Sequence, residues 1–296
     1  MSQVRAAVDI GTNSMRLLIA GPEGEVLRRQ KVTGLGRGVD SSGRLAEDAI
    51  HRTIAVLAEY GEEMRRHDVD RARAVATSAS RDAANAELFL DRAEAVLGLR
   101  PEVIAGGEEA RLAYAGATAG IEGDGPYLVV DIGGGSTEFV WSDEESIHGV
   151  SIDIGSVRLT ERVPVSRPAT FEEIQSAAGV AEGAFDLLVL PDREWQAIGV
   201  AGTWTSLAAV AADLPAYDRE AVHSSRLSRQ AVDRLVTRFA ALTIEQTAAI
   251  PALDPARAPV ILAGSIVARE AMRHAGLFEV IVSERDLLDG VIASLD

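Results

Sequence analysis

The chain has no cysteine, which excludes disulfides and any thiolate nucleophile. Lysine is almost missing too: Lys31 is the single one among 29 basic residues, and the rest are arginine. Arginine suits fork-like contacts to phosphate or carboxylate, although a GC-rich genome produces the same bias. Positive charge as a whole is scarce, with a formal net charge of −16. A general nucleic-acid coat needs a basic face, so no nucleic-acid partner is expected. No apolar run reaches the roughly 18–20 residues of a membrane span, so no membrane partner is expected either. The N-terminus shows no basic segment and no cleavage site, and the expectation is a soluble, cytoplasmic protein. The five histidines are scattered, with no pair at metal-binding spacing.

What the chain does contain is one phrase written twice. DIGTNSMR occupies 9–16 and DIGGGSTE occupies 131–138. Each follows an apolar run and precedes another. The patterning predicts a hairpin over 4–20 turning at 11–14, a third strand over 25–34 and an amphipathic helix over 45–67. A strand over 72–77, a helix over 85–97, a strand over 101–104 and a helix over 108–119 follow. The Gly-rich stretch at 120–126 reads as a linker. The pattern then restarts with a hairpin over 127–141 and a strand over 150–154. Helices are expected from 155, over 171–187, after the AGTWTS turn at 201–206, over 228–242 and over 266–274. Strands are expected at 195–200, 260–262 and 278–282, and a closing helix near 286–294. Two halves, 1–121 and 122–296, thus share one opening, a duplication at domain scale. Alternating strands and helices imply an α/β fold.

The repeated turn has a chemistry. Glycine lets backbone N–H groups converge on a small anion, and Ser, Thr and Asn add donors. The Asp at the strand end would repel phosphate directly. It can instead hold a hydrated divalent cation that bridges to phosphate. One such turn hints at phosphate; two, facing each other, make a two-walled clamp. For a polyanion approaching so acidic a protein, local positive groups, a metal or both are required.

The pairing is the signature of the actin, Hsp70 and sugar-kinase superfamily. The expected fold is α/β, two actin-like (ribonuclease H-like) domains flanking a phosphate-binding cleft. Five segments in order strengthen a closer likeness: AVATSASRDAANAELFL (74–90), VIAGGEEARLAYAGA (103–117), LVVDIGGGSTEFV (128–140), GSVRLTE (155–161) and VAGTWTSLAA (200–209). Together they resemble the exopolyphosphatase/guanosine pentaphosphate phosphohydrolase (Ppx/GppA) family, in its short two-domain form.

The resemblance implies hydrolysis of a terminal phosphoanhydride bond with Mg²⁺ or Mn²⁺. The substrate would be inorganic polyphosphate or, alternatively, guanosine pentaphosphate. A third reading is a non-catalytic sensor of these molecules, and relatives are often homodimers. Carried over by motif, Glu109 is the catalytic glutamate. Asp131 is the metal-linked aspartate, and Asp9 either joins it or fixes its own turn. Gly11, Thr12, Asn13 and Ser14 match one phosphate loop; Gly133, Gly134, Gly135, Ser136 and Thr137 match the other. Arg81 faces the phosphate. Glu108 reads instead as a first-turn residue favoured by the helix dipole. Arg16, Arg37 and Arg111 read as phosphate contacts or as ordinary ion-pair partners. With no G-x-S-x-G elbow, direct attack by water is the simplest route. Two departures stand out: Trp204 is bulky for its turn, where it would fill an adenine's place or pack in the core. The tail VSERDLLDG (282–290) carries Asp286 and Leu288 where relatives have Gly and Arg.

Overall fold

The computed structural model describes residues 3–121, 123, 125–143 and 146–295. Of the linker at 120–126, Glu122 and Asp124 lie outside the described residues. The chain forms two compact units, Met1–Gly116 with Asp286–Asp296, and Ala117–Arg285.

The first unit is built on five strands: β1 (Arg5–Ile10), β2 (Ser14–Gly21), β3 (Gly24–Val32), β4 (Arg71–Ala76) and β5 (Glu102–Val103), in the order β3-β2-β1-β4-β5. The β1–β2 and β2–β3 pairs are antiparallel, while β4 and β5 continue the sheet in parallel. Side chains alternate faces along a strand. Accordingly Ala6, Val8 and Ile10 enter one core, and Ala7 enters another on the opposite face. The first core is closed by the helix Glu47–Arg66, whose buried stripe runs Ala49, Ile50, Thr53, Val56, Leu57, Tyr60 and Met64. The second core is closed by Leu112 of the helix Gly106–Thr118 and by Leu287, Leu288 and Val291 of the helix Leu287–Ala293. A sheet covered on both faces explains why β1 is apolar nearly throughout.

The second unit repeats the plan with β6 (Tyr127–Ile132), β7 (Thr137–Ser142), β8 (Ile147–Ile152), β9 (Gln196–Val200), β10 (Arg226–Ser228) and β11 (Glu279–Val282). Their order is β10-β11-β9-β6-β7-β8. Read from β8, the first three strands are antiparallel and the next two parallel, as in the first unit. Each unit is therefore an α/β layer built on one doubled plan.

Several local expectations are revised. The strand expected over 260–262 is the start of the helix Ile261–His274. Every residue of that helix from Ile261 to Met272 is buried, because the helices Ser156–Arg162, Phe171–Phe185 and Arg229–Ala240 pack around it. Its first residues, 261–263, are a short apolar run, which periodicity alone cannot tell from a strand. The AGTWTS segment is itself the first turn of the helix Ala201–Ala211 rather than a lead-in. β8 lies earlier than 150–154, and β10 has no counterpart among the expected strands.

The closing helix, which a split at residue 121 would leave with the second half, packs in the first unit against β1 and β2. It crosses the helix Gly106–Thr118 through two glycines. A Cβ on Gly290 would stand 1.9 Å from the Leu112 carbonyl oxygen, and one on Gly116 1.9 Å from that of Asp286. Both obstacles are backbone and cannot rotate away. Alanine inside an exposed helix gains about 1 kcal/mol over glycine. Here the clash reverses the sign: we expect Gly290→Ala to destabilise the protein by about 3 kcal/mol, read as a lower midpoint in chemical denaturation.

Candidate functional site

In the first unit the turn between β1 and β2 carries Gly11, Thr12, Asn13 and Ser14. Gly11 N–H donates to the Ser14 carbonyl at 3.1 Å, and a Cβ on Gly11 would meet that oxygen at 2.9 Å. The carbonyls of this turn are occupied from below. Thr12 O accepts from Gly36 N–H (2.8 Å), and Asn13 O accepts from Thr33 N–H (2.9 Å) and Gly34 N–H (3.0 Å). Across a planar trans peptide the next N–H points the opposite way. The amides of Asn13 and Ser14 are thereby turned away from the 33–36 segment. Gly36 fits against Thr12 and Ala79 so closely that a Cβ would stand 2.3 Å from Thr12 Cγ2. The Thr12 hydroxyl lies 2.8 Å from that of Ser78.

Three side-chain atoms of this turn are buried without a hydrogen-bond partner: Asp9 Oδ1, Asn13 Nδ2 and Asn13 Oδ1. Ser80 Oγ, in the short helix Ser78–Asp82, is in the same condition. Buried polar groups are nearly always paired. Leaving one unpaired costs about 1–3 kcal/mol, more for a charged group.

Asp9 faces Arg16 across the β1–β2 ladder. Arg16 Nε (2.7 Å) and Nη2 (2.6 Å) both reach Asp9 Oδ2, and Arg16 Nη1 donates to Asp286 Oδ2. Burial raises the Asp9 carboxyl above its ordinary range; Arg16 opposes this, and Asp286 adds to it.

Glu109 lies in the first turn of the helix Gly106–Thr118 and is 8% exposed. The helix start favours a carboxylate there. Arg81, in the helix Ser78–Asp82, donates from Nη1 to the Ile104 carbonyl (3.1 Å) and to Glu109 Oε2 (3.3 Å). The neighbouring Glu108 is half-buried and accepts from Arg73 Nη2 at 2.6 Å, an ordinary framework pair. The structure thus separates two adjacent glutamates that sequence geometry alone could not. Arg111 is exposed on its helix, and Arg37 is exposed with its guanidinium over Gly34.

In the second unit the β6–β7 turn is held in the same manner. Gly133 O accepts from Ser156 N–H (3.0 Å) and Gly134 O from Val157 N–H (2.8 Å) and Arg158 N–H (3.1 Å); Gly135 O accepts from Arg158 Nε (2.7 Å). The amides of Gly134, Gly135 and Ser136 are all turned to the opposite side. Gly155 allows the close approach, since a Cβ would stand 2.6 Å from Gly134 O. Thr137 differs from its neighbours: it is fully buried, and its hydroxyl donates to Ile154 O at 2.6 Å, anchoring the turn. Asp131 is buried at the end of β6, with Glu138 opposite it on β7. Trp204 is a core residue, its ring against Gly199 and near Val280. Gly155 and Ser78 lie inside the family-like motifs and Gly36 outside them, and no local pattern in the sequence gives the contacts these three make. Asp286 stands in the sequence only as a departure from relatives.

Among the described residues, no three His, Asp or Glu side chains converge as a metal cage. Each unit carries one buried aspartate beside its turn, Asp9 in the first and Asp131 in the second, and a carboxylate oxygen is the donor type that a hard cation takes. No helix among the described residues is long and apolar enough to cross a membrane.

The Ppx/GppA phosphatase family model matches residues 22–296. The chain is 41% identical to exopolyphosphatase 2 of Mycobacterium tuberculosis, across 98% of both proteins. It is 33% identical to a guanosine-5′-triphosphate,3′-diphosphate pyrophosphatase of Photobacterium profundum, over 70% of this chain and 43% of the other. A crystal structure of an exopolyphosphatase-like protein superposes with a TM-score of 0.94 at 35% identity, covering 99% and 98% of the two chains.

The raised Asp9 carboxyl has a consequence for stability. The folded state binds this proton more tightly than the unfolded chain, so the contribution of Asp9 is favourable at low pH and is lost as pH rises through the raised value. We expect wild type to lose stability relative to Asp9→Asn as pH rises through that value, read as a change in the difference between their urea midpoints from about pH 5 to about pH 8.

Proposed function

The chain belongs to the Ppx/GppA phosphatase family, and from that premise we propose that it is an exopolyphosphatase. It removes the terminal phosphate of inorganic polyphosphate. The observation that carries this reading is the set of unpaired buried atoms in one glycine-led turn, Asp9 Oδ1 with both polar atoms of Asn13. A ligand offering both acceptors and a cation satisfies them, and a metal-bound phosphate chain is such a ligand.

Phosphoryl transfer asks a protein mainly for positioning and charge neutralisation. The amides of Asn13 and Ser14 in one unit, and of Gly134, Gly135 and Ser136 in the other, are the donors for phosphate oxygens. Glu109 is the base: water attacks the terminal phosphorus, its proton passes to the Glu109 carboxylate, and the bridging P–O bond breaks. Orthophosphate and a chain one unit shorter leave. Arg81 keeps the Glu109 carboxylate in place and offers its remaining N–H groups to the anion. Asp9 and Asp131 would hold Mg²⁺ or Mn²⁺, which when bound neutralises phosphate charge. The enzyme works in the cytoplasm.

A second substrate, guanosine pentaphosphate, is favoured by the Photobacterium relative. Its terminal 5′ phosphoanhydride presents the same bond to the same groups. The test is phosphate release from polyphosphate and from guanosine pentaphosphate, by wild type and Glu109→Gln with Mg²⁺. We expect the variant to lose about 10³-fold in kcat with KM nearly unchanged. A wild type that binds both and releases phosphate from neither would overturn the reading.

A further inference from the structure

The arginine that grips Asp9 is itself held from behind. An arginine beside a carboxylate usually forms a fork in which two parallel N–H groups satisfy both oxygens. Arg16 does otherwise: Nε and Nη2 converge on Oδ2 alone, and Oδ1 is left buried and unpaired beside Gly11. The third arm, Nη1, is taken by Asp286. Asp286 is fixed in its turn. It caps the helix Leu287–Ala293, its Oδ1 accepting from Leu288 N–H at 3.0 Å, while its own N–H donates to Asp289 Oδ2 at 3.0 Å. Arg28 steadies the same helix end, donating to both oxygens of Asp289 at 2.9 and 3.0 Å with Nη1 3.8 Å from Asp286 Oδ1. The Asp286 carboxylate is therefore a rigid hook on Arg16.

We propose that Asp286 is a positioning residue: by holding Nη1 of Arg16 it prevents the fork from closing on Asp9 and keeps Oδ1 of Asp9 open for a cation accompanying phosphate. This rests on reading the β1–β2 turn as a phosphate loop. It assigns the closing helix a part in ligand binding that its place in the sequence does not suggest. It also explains why an unfavourable unpaired oxygen persists in a buried site where an arginine stands ready to satisfy it.

The consequence is an opposition between stability and binding that a scaffold residue would not show. Asparagine caps helices as well as aspartate does. Asp286→Asn thus keeps the bond to Leu288 N–H and removes the charge that holds Arg16. Released, Arg16 closes on both oxygens of Asp9. The variant should melt at or above the wild-type temperature and yet bind Mn²⁺ about tenfold more weakly, measured by loss of the free-ion electron paramagnetic resonance signal. In turnover, half-saturation for Mg²⁺ rises while kcat at saturating Mg²⁺ stays within about twofold. Asp286→Ser, a shorter cap, should behave alike. Unchanged Mn²⁺ affinity in both variants overturns the proposal, as does wild type binding no Mn²⁺. A melting temperature that falls together with affinity, or failure of both variants to fold, makes Asp286 a framework residue and overturns it too. Should wild type release no phosphate, the enzymatic reading fails while the Mn²⁺ measurement still decides this one.

Discussion

Everything the two turns can offer a ligand follows from where their carbonyls are committed. A short glycine-led turn is free to present either edge of its peptide planes. In the second unit the first amides of Ser156, Val157 and Arg158 hold the carbonyls of Gly133 and Gly134, and Arg158 Nε holds that of Gly135. In the first unit Thr33, Gly34 and Gly36 hold those of Thr12 and Asn13. The donor edge of each turn is thus set by a neighbouring segment, at no cost when a ligand arrives. Preorganised dipoles of this kind are what anion chemistry uses best. Gly36 and Gly155 lie in those neighbouring segments, where a methyl group would force the two layers apart.

The two copies are alike in backbone and unlike in charge. The residue across the ladder from the aspartate is Arg16 in the first copy and Glu138 in the second. In the first, an arginine balances the buried carboxylate. In the second, two buried carboxylates sit opposite one another, with Glu138 also accepting from Ser151 Oγ at 2.6 Å. The frame is doubled, and one cross-strand position distinguishes the two copies by charge.

The legibility of the fold followed from how local each signal is. The hairpins at β1–β2 and β6–β7 were readable because apolar runs flank a glycine turn, and the helix Glu47–Arg66 because its stripe keeps helical spacing. The start of the helix Ile261–His274 reads as a strand because a short apolar run fits either element. The site divides in the same way. The turn residues were visible as a repeated phrase. Glu108 and Glu109 differ by one position and by nothing else in the sequence; only the packing that puts Arg73 beside one and Arg81 beside the other tells them apart. The Arg16–Asp286 contact joins positions near opposite ends of the chain and has no sequence signature at all.

That return of the chain to its beginning bears on the order in which the protein can be made. The second unit is one continuous segment, Ala117–Arg285, whereas the first is completed only by Asp286–Asp296. On the ribosome, the sheet of the first unit emerges before the second unit but lacks Leu287, Leu288 and Val291, which help cover one of its faces, until the whole of the second unit has been made. Until then Ala7, Leu18 and Val75 have only part of their cover, from Ile104 and Leu112. N-terminal domains usually finish first during synthesis. Here the later-made unit is the one free to finish first, because the earlier one waits for residues translated after it.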